Sequence, residues 1–232
     1  MFETNEARRA FVAKFNIMDD IFFQKIVEDP DACQEILRVI MNMPELRVIG
    51  VQAQKFLRNV GNKSVRLDAL CQLSNGHLYN IEMQKSDNDD HLKRVRYYSS
   101  NLDTLSAEQG KNYTDLPDLY MVYITTKDFL KGNKAIYHVQ RILEETGKVV
   151  YNGINEIYVN ASVDDGSTVA ELMNYFKNST SDNKRFPKIA ERVRYYKETN
   201  EGVSAVCEIV QELIAKELKR AEIAEKHHAD LF

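Results

Sequence analysis

A chain of 232 residues that is 44% hydrophobic and 28% charged can fold as one sizeable domain, or as one domain with a helical appendage. A net charge of -4 argues against a protein that mainly coats nucleic acid, although a local basic patch would still allow an enzyme to act on DNA. No apolar run approaches the roughly 20 residues of a membrane helix, and residues 1–10 do not resemble a signal peptide, so we expect a cytoplasmic protein with no membrane partner.

Several common site types are not indicated by the sequence. Cys33, Cys71 and Cys207 are odd in number, widely separated and set among apolar neighbours, which predicts buried thiols rather than a disulfide framework or a zinc site. The histidines share no metal-ligand spacing. The chain also has no glycine-rich phosphate-binding loop, which argues against a nucleotide-triphosphate motor.

In chain order, the apolar pattern predicts two helices, then mainly strands, then helices again. Apolar residues at helical spacing run from Ile21 to Met41, and Pro30 opens the second helix. Strands are predicted near 48–51 and at 64–73, 77–84, 118–125, 135–142 and 154–159, with a polar helix at 88–109. Helices are predicted at roughly 168–177, 187–199 and 203–228. Because 118–125 is apolar throughout, we expect a sheet that is covered on both faces.

The strands predicted at 64–73 and 77–84 form a hairpin that can be paired in two registers. A two-residue Asn75-Gly76 turn would mix apolar with polar side chains on both faces. A three-residue loop, with Gly76 in the left-handed bulge position, makes one face uniformly apolar, so we predict this register. The facing pairs are then Leu67 with Met83, Ala69 with Ile81 and Cys71 with Tyr79.

In the predicted register Asp68 lies opposite Glu82 on the other face, with Gln84 two residues along and Arg66 across from it. Like charges that face each other across a strand pair cost up to about 1 kcal/mol. A hard divalent cation offsets this repulsion, and Mg²⁺ (or Mn²⁺) favours such oxygen ligands while it retains the water that hydrolysis needs. The alternative is that both carboxylates lie on a solvated sheet face beside Arg66.

The spacing of Asp68 and Glu82-Met83-Gln84 resembles the Asp…Glu-x-Lys pattern of PD-(D/E)XK nucleases, with glutamine at the lysine position. A longer ordered set of motifs, over about residues 16–177, resembles the Rpn family of recombination-promoting nucleases, a bacterial family also described as PD-(D/E)XK nuclease family transposases. In chain order these motifs are Asp20-Ile21-Phe22-Phe23, Arg66-Leu67-Asp68, Tyr79-Asn80-Ile81-Glu82-Met83-Gln84, Arg94 to Tyr98, Gly110-Lys111-Asn112-Tyr113 and Leu116-Pro117.

This resemblance implies a restriction-endonuclease-like α/β fold, with a central mixed sheet flanked by helices and with C-terminal helices added. It also implies that Asp68 and Glu82 bind the metal, helped by the Met83 backbone carbonyl, and that Gln84 orients the attacking water. An amide cannot stabilise a developing hydroxide by charge as an ammonium can, so slow or conditional activity is also compatible with the sequence.

Four residues near this motif are candidate phosphate contacts: Arg66, Arg94, Arg96 and Tyr98. Arginine makes bidentate contacts with phosphate, and tyrosine offers a face on which a base can stack. The alternative is a solvated helix face with the tyrosines packed inward. Asp20 is either an additional site residue from the first helix or a carboxylate favoured there by the helix dipole.

We divide the chain into a nuclease-like domain at 1–177 and a C-terminal helical region at 178–232. The last helix carries an apolar stripe that must be buried against the core or against another chain, so a homodimer through the C-terminal helices is a candidate assembly. The stripe consists of Val203, Cys207, Val210, Ile214 and Leu218.

Two functions compete. The first is a metal-dependent DNA endonuclease, associated with mobile elements or recombination, that hydrolyses phosphodiester bonds with Asp68, Glu82 and Gln84. The second is a catalytically inactive nuclease-fold protein that binds DNA or protein. A third interpretation, a structural oligomerisation module, leaves the opposed Asp68 and Glu82 unexplained. DNA cleavage that depends on added metal is expected for the endonuclease and not for the inactive binding protein, so it discriminates between these two functions.

Overall fold

A computed structural model describes residues 4–57, 63–85 and 90–229. Its helices are α1 (Asn5–Val12), α2 (Asp20–Val27), α3 (Pro30–Met41), α4 (His91–Ser106), α5 (Thr168–Asn178), α6 (Pro187–Glu198) and α7 (Asn200–Ala229), with a short 3₁₀ helix at Tyr113–Asp115. Its strands are β1 (Val48–Leu57), β2 (Val65–Leu73), β3 (Leu78–Gln84), β4 (Leu119–Thr125), β5 (Ile136–Val139), β6 (Arg141–Ile142), β7 (Val149–Val150) and β8 (Ile154–Asn160).

Most predicted elements are confirmed, with two main differences. Helix α1 was not predicted, because half of its residues are polar or charged and only Val12 of it is buried, so its apolar pattern is weak. The strand predicted at 135–142 is two strands, β5 and β6, and β6 pairs with the unpredicted β7 as a separate hairpin. Residues 88 and 89 of the helix predicted at 88–109 lie outside the described residues. None of the described helices combines the length and apolar composition that a bilayer crossing requires.

Six strands form a mixed sheet in the order β1-β2-β3-β4-β8-β5. The strands β1, β2 and β3 pair antiparallel, β3, β4 and β8 pair parallel, and β5 closes the far edge antiparallel to β8. The central sheet flanked by helices is the predicted architecture.

Buried apolar side chains form two clusters, one on each face of this sheet. Alternation along β4 assigns the faces, since Val122 and Ile124 belong to the first cluster while Met121 and Tyr123 belong to the second. Residues of α1, α2, α3, α5, α6 and α7 join the first cluster, and residues of α4 join the second. The prediction of a sheet covered on both faces is therefore confirmed.

The β2–β3 hairpin has the predicted three-residue loop and register. Ala69 faces Ile81 and Cys71 faces Tyr79, and Gly76 takes a left-handed φ of 86°. Two parts of the prediction were wrong: Leu67 does not pair with Met83, and the apolar residues do not share one face. Leu67 packs in the second cluster, whereas Ala69, Cys71 and Met83 pack in the first. The apolar face of β2 therefore changes sides at Asp68. The predicted thiols are buried, and Cys33 Sγ lies 2.9 Å from Cys71 Sγ.

The apolar stripe of α7 divides into two parts. Val203, Cys207 and Val210 are buried, and α7 packs against α1, α2 and α6. Farther along, Ile214 and Leu218 are 37% and 61% exposed. Burial against the core therefore accounts for the first half of the stripe. The domain boundary after residue 177 stays a prediction.

Substitution Gly202→Ala should destabilise the protein, although intrinsic helix propensity alone would favour alanine over glycine by about 1 kcal/mol. A Cβ at Gly202 would lie 2.1 Å from the carbonyl oxygen of Tyr195, because the start of α7 packs directly on the end of α6. Overpacking of this kind costs roughly 1–3 kcal/mol, which we expect to see in urea unfolding. The control is Gly50→Ala, where the added Cβ would meet nothing within 4 Å. Equal stability of Gly202→Ala and the wild type would contradict this close packing.

Candidate active site

The backbone hydrogen-bond ladder between β2 and β3 ends at the Ala69–Ile81 pair. Beyond this pair, side-chain carboxylates accept the hydrogen bonds of backbone N–H groups. The Met83 N–H donates to Asp68 Oδ2 at 2.9 Å, and the Asp68 N–H donates to Glu82 Oε1 at 3.2 Å. Each carboxylate therefore reaches across to the backbone of the other strand. Asp68 and Glu82 are held side by side where the hairpin opens.

A distortion in β1 lies opposite Asp68. Gln54 has a left-handed φ of 52°, and its pair with Asp68 is missing between the Ala53–Ala69 and Lys55–Leu67 pairs. A residue other than glycine in this region costs on the order of 1 kcal/mol or more. The Gln54 side chain is held by a hydrogen bond to the buried Gln24 of α2. The interrupted ladder leaves the Asp68 N–H for Glu82, and it coincides with the change of face at Leu67.

Glu82 is also held by Asn80, two residues earlier on the same face of β3. Asn80 is fully buried, and its Nδ2 donates to Glu82 Oε1 at 2.9 Å. Among the residues that the structure describes, none is a hydrogen-bond partner of the buried Oδ1 of Asn80. Asn80 was not predicted as a site residue from the sequence. The signal that points to it is a polar residue two positions before Glu82, which places both side chains on the same face of β3.

Burial dominates the electrostatics of the pair. It raises the pKa of Asp68 to about 6, with a further increase from Asp20, while the Met83 N–H, Arg66 and Arg94 act in the opposite direction. Burial and then the Asp68 charge raise the pKa of Glu82 well above its usual value. Two ionised carboxylates at this position are therefore costly without a compensating positive charge.

Gln84, at the end of β3, is bound by α4. Arg94 Nη1 donates to Gln84 Oε1 at 2.7 Å, and Arg94 Nη2 donates to the carboxylate of Asp90 at 2.9 Å. Arg94 was predicted as a phosphate contact, but in the structure these donors bind protein groups. The helix α4 thus places a guanidinium beside the strand that carries Glu82 and Gln84.

The remaining predicted residues are distributed around this centre. Asp20 is exposed in the first turn of α2 and borders a cavity of about 780 Å³ that Arg66, Met83 and Gln84 also line. Tyr98 is half-buried on α4, and burial followed by the charge of Glu82 raises its pKa. Arg96 is exposed, about 200° around α4 from Arg94, and so faces away from the carboxylates.

The C-terminal helix forms one wall of the same cavity, through Ile209, Glu212, Leu213 and Lys216 of α7. This arrangement was not predicted, because the sequence of an amphipathic helix does not specify which element it packs against. Within the ranges that the structure describes, no group of three or more His, Cys, Asp and Glu side chains is arranged to hold a metal ion. A metal at this site would depend on the carboxylate pair.

Comparison with known families decides the assignment. A family model described as PD-(D/E)XK nuclease family transposase matches residues 28–193. The chain belongs to this family. The match to the nuclease family includes Asp68, Glu82, Gln84 and α4, begins after Asp20, and continues past residue 178 into α6. Together with the mixed sheet and its flanking helices, it confirms the predicted restriction-endonuclease-like fold. No curated protein and no solved structure matched the chain.

Proposed function

We propose that this protein is a metal-dependent DNA endonuclease that hydrolyses phosphodiester bonds at Asp68, Glu82 and Gln84. One observation carries the proposal: the Asp68 and Glu82 carboxylates, from two adjacent strands, are held side by side because Asp68 accepts from the Met83 N–H and Glu82 accepts from the Asp68 N–H. Both pKa values are raised there, so a compensating cation would stabilise the ionised pair. Membership of a nuclease family makes DNA the substrate to test first.

The donor set fits Mg²⁺ or Mn²⁺. Among the described residues, neither Asp68 Oδ1 nor Glu82 Oε2 takes part in a hydrogen bond, so one oxygen of each carboxylate could ligate a cation. The Met83 carbonyl would be a third ligand, because the N–H and C=O of a strand residue point to the same side and this N–H points at Asp68. Mg²⁺ commonly uses one or two carboxylates and keeps several waters, so a pair of carboxylates is enough.

When bound, such a cation lowers the pKa of water and stabilises negative charge on a phosphoryl oxygen. Asp68 and Glu82 would hold it, and Gln84 would orient the attacking water. In the hydrolysis the water oxygen bonds to phosphorus as one ester bond breaks, and the water hydrogens end on the departing hydroxyl and in solvent. Arg66, Arg96 and Tyr98 would contact phosphates, and Asp20 would add a carboxylate from α2.

A catalytically inactive protein that binds DNA or protein is the second candidate. The observation that favours it is the neutral Gln84 at the position where the wider superfamily has lysine. A role in mobile-element recombination and a cytoplasmic location in a bacterium remain predictions. So does a homodimer through the C-terminal helices, for which the exposed Ile214 and Leu218 offer an apolar surface.

Incubation of the purified protein with plasmid and linear DNA tests the proposal. We expect nicked or linear products with Mg²⁺ or Mn²⁺ and none with EDTA, because the carboxylate pair requires the cation to act on a phosphodiester. An Asp68→Ala protein purified by the same protocol controls for a contaminating nuclease. DNA binding without cleavage in either metal would favour the inactive protein.

A further inference from the structure

We propose that Arg94 and Gln84 together take the place of the lysine in the Asp…Glu-x-Lys pattern, with Arg94 as a positioning residue that acts through Gln84. This inference rests on the proposed nuclease function. It differs from the sequence prediction, in which Arg94 contacts a DNA phosphate directly. The observation behind it is that a guanidinium from α4, that of Arg94, donates a hydrogen bond to Gln84 at the end of β3.

Hydrogen bonds fix the positions of both Arg94 and Gln84. Arg94 reaches Gln84 Oε1 with Nη1 at 2.7 Å and is held from the other side by Asp90, four residues earlier on the chain. The Arg94 side chain is 25% exposed, so water screens its charge less than that of a fully exposed arginine. Since the guanidinium binds the amide oxygen, the NH₂ group of Gln84 points away from Arg94.

The charge of Arg94 reaches the site through its hydrogen bond to Gln84. It polarises the Gln84 amide, because hydrogen bonds in a chain strengthen one another in a medium of low dielectric constant. Gln84 then donates more strongly to a developing hydroxide or phosphoryl oxygen than an isolated amide would. A lysine ammonium would supply that charge directly.

This arrangement predicts that substitutions at the two positions are not additive. Gln84→Lys alone would place an ammonium beside the Arg94 guanidinium, and the repulsion would cancel the benefit of the new charge. With Arg94→Gln in the same chain, the ammonium would stand alone where the superfamily has it. The double variant should therefore recover activity that Arg94→Gln loses.

The experiment compares the wild type, Arg94→Gln, Gln84→Lys and the double variant in kcat and KM on linear duplex DNA with Mg²⁺, and in DNA affinity with EDTA at several salt concentrations. We expect Arg94→Gln to lower kcat about tenfold or more, as for loss of one preorganised donor, with DNA affinity and its salt dependence unchanged. The double variant should return to within about threefold of the wild type, and Gln84→Lys alone should not exceed it.

The matched control is Arg47→Gln, which removes the same charge from an exposed arginine at the other end of the hairpin, where the Arg47 carbonyl accepts from Ser74. Its kcat should stay within about twofold of the wild type. If Arg94→Gln fails to fold, as judged by thermal unfolding, Arg94→Lys replaces it. That variant keeps the charge without the planar fork and should give an intermediate kcat.

The outcomes separate this inference from the proposed function. An active wild type with an equally active Arg94→Gln would overturn the inference alone. So would a loss that appears in DNA affinity and salt dependence, which would make Arg94 a phosphate contact. A wild type that does not cleave DNA, together with a double variant that does, would show that Arg94 and Gln84 do not take the place of the lysine. If none of the four proteins cleaves DNA or is stabilised by Mn²⁺, the proposed function fails, and this inference fails with it.

Discussion

Asp68→Ala is expected to abolish metal-dependent DNA cleavage, with kcat lowered on the order of a thousandfold or more, because the cation loses one of its two carboxylates. Weak DNA binding should remain and should weaken as salt is added, since exposed cations such as Arg66 and Arg96 are unchanged. Gel assays of plasmid cleavage and fluorescence titrations of labelled duplex DNA measure the two quantities separately.

The charge-matched control for this prediction is Asp31→Ala, which removes an exposed carboxylate of α3 whose side chain is 65% accessible. It should cleave DNA like the wild type. Cleavage that persists in rigorously purified Asp68→Ala would place the activity elsewhere. A wild type that does not cleave, with an Asp68→Ala variant that binds DNA as tightly or more tightly, would favour the inactive binding protein, since loss of the carboxylate relieves repulsion of phosphate.

The double substitution Asp68→Asn/Glu82→Gln should stabilise the protein in EDTA at pH 8, by about 1–2 kcal/mol. The sign follows from the raised pKa values. Asp68 titrates near pH 6 in the folded chain and near its usual 3.8 when unfolded, so between these values the folded state binds more protons. The wild type therefore loses stability as pH rises from about 4 through 6, and Glu82 acts in the same direction. The difference in the free energy of unfolding between the variant and the wild type should vanish near pH 4. Urea unfolding at several pH values measures this difference.

The same pair predicts the response to metal. Mn²⁺ at about 100 times its dissociation constant should stabilise the wild type by roughly 2.7 kcal/mol, and Asp68→Asn/Glu82→Gln should remove this response. The matched control, Asp31→Asn/Glu108→Gln, neutralises two exposed carboxylates and should keep it. A site variant that still gains stability from Mn²⁺ would place the metal elsewhere in the protein. An identical pH dependence of the site variant and the wild type would contradict the raised pKa values.

Local sequence patterns determined much of this fold. The alternation of apolar residues in β2 and β3, with Gly76 in the loop, specified the hairpin register, because a slip of one residue would expose an apolar face. That register brings Asp68 and Glu82 near each other, and hydrogen bonds from the Met83 and Asp68 N–H groups then hold the two carboxylates side by side. The long helices were also predictable, because apolar residues repeat in them with a period of 3.6 residues. The buried strand β4 was predictable from its continuous apolar run.

Only the tertiary structure decided which groups surround that pair. Arg94 meets Gln84 because α4 folds back onto the sheet, and α7 borders the cavity because its first turns pack on α1, α2 and α6. The left-handed Gln54 and the buried Asn80 depend likewise on α2 and on the covered sheet face. These contacts join residues from separate elements, and their formation depends on the packing of whole helices, whereas a sequence pattern reports mainly which side of its own element is apolar.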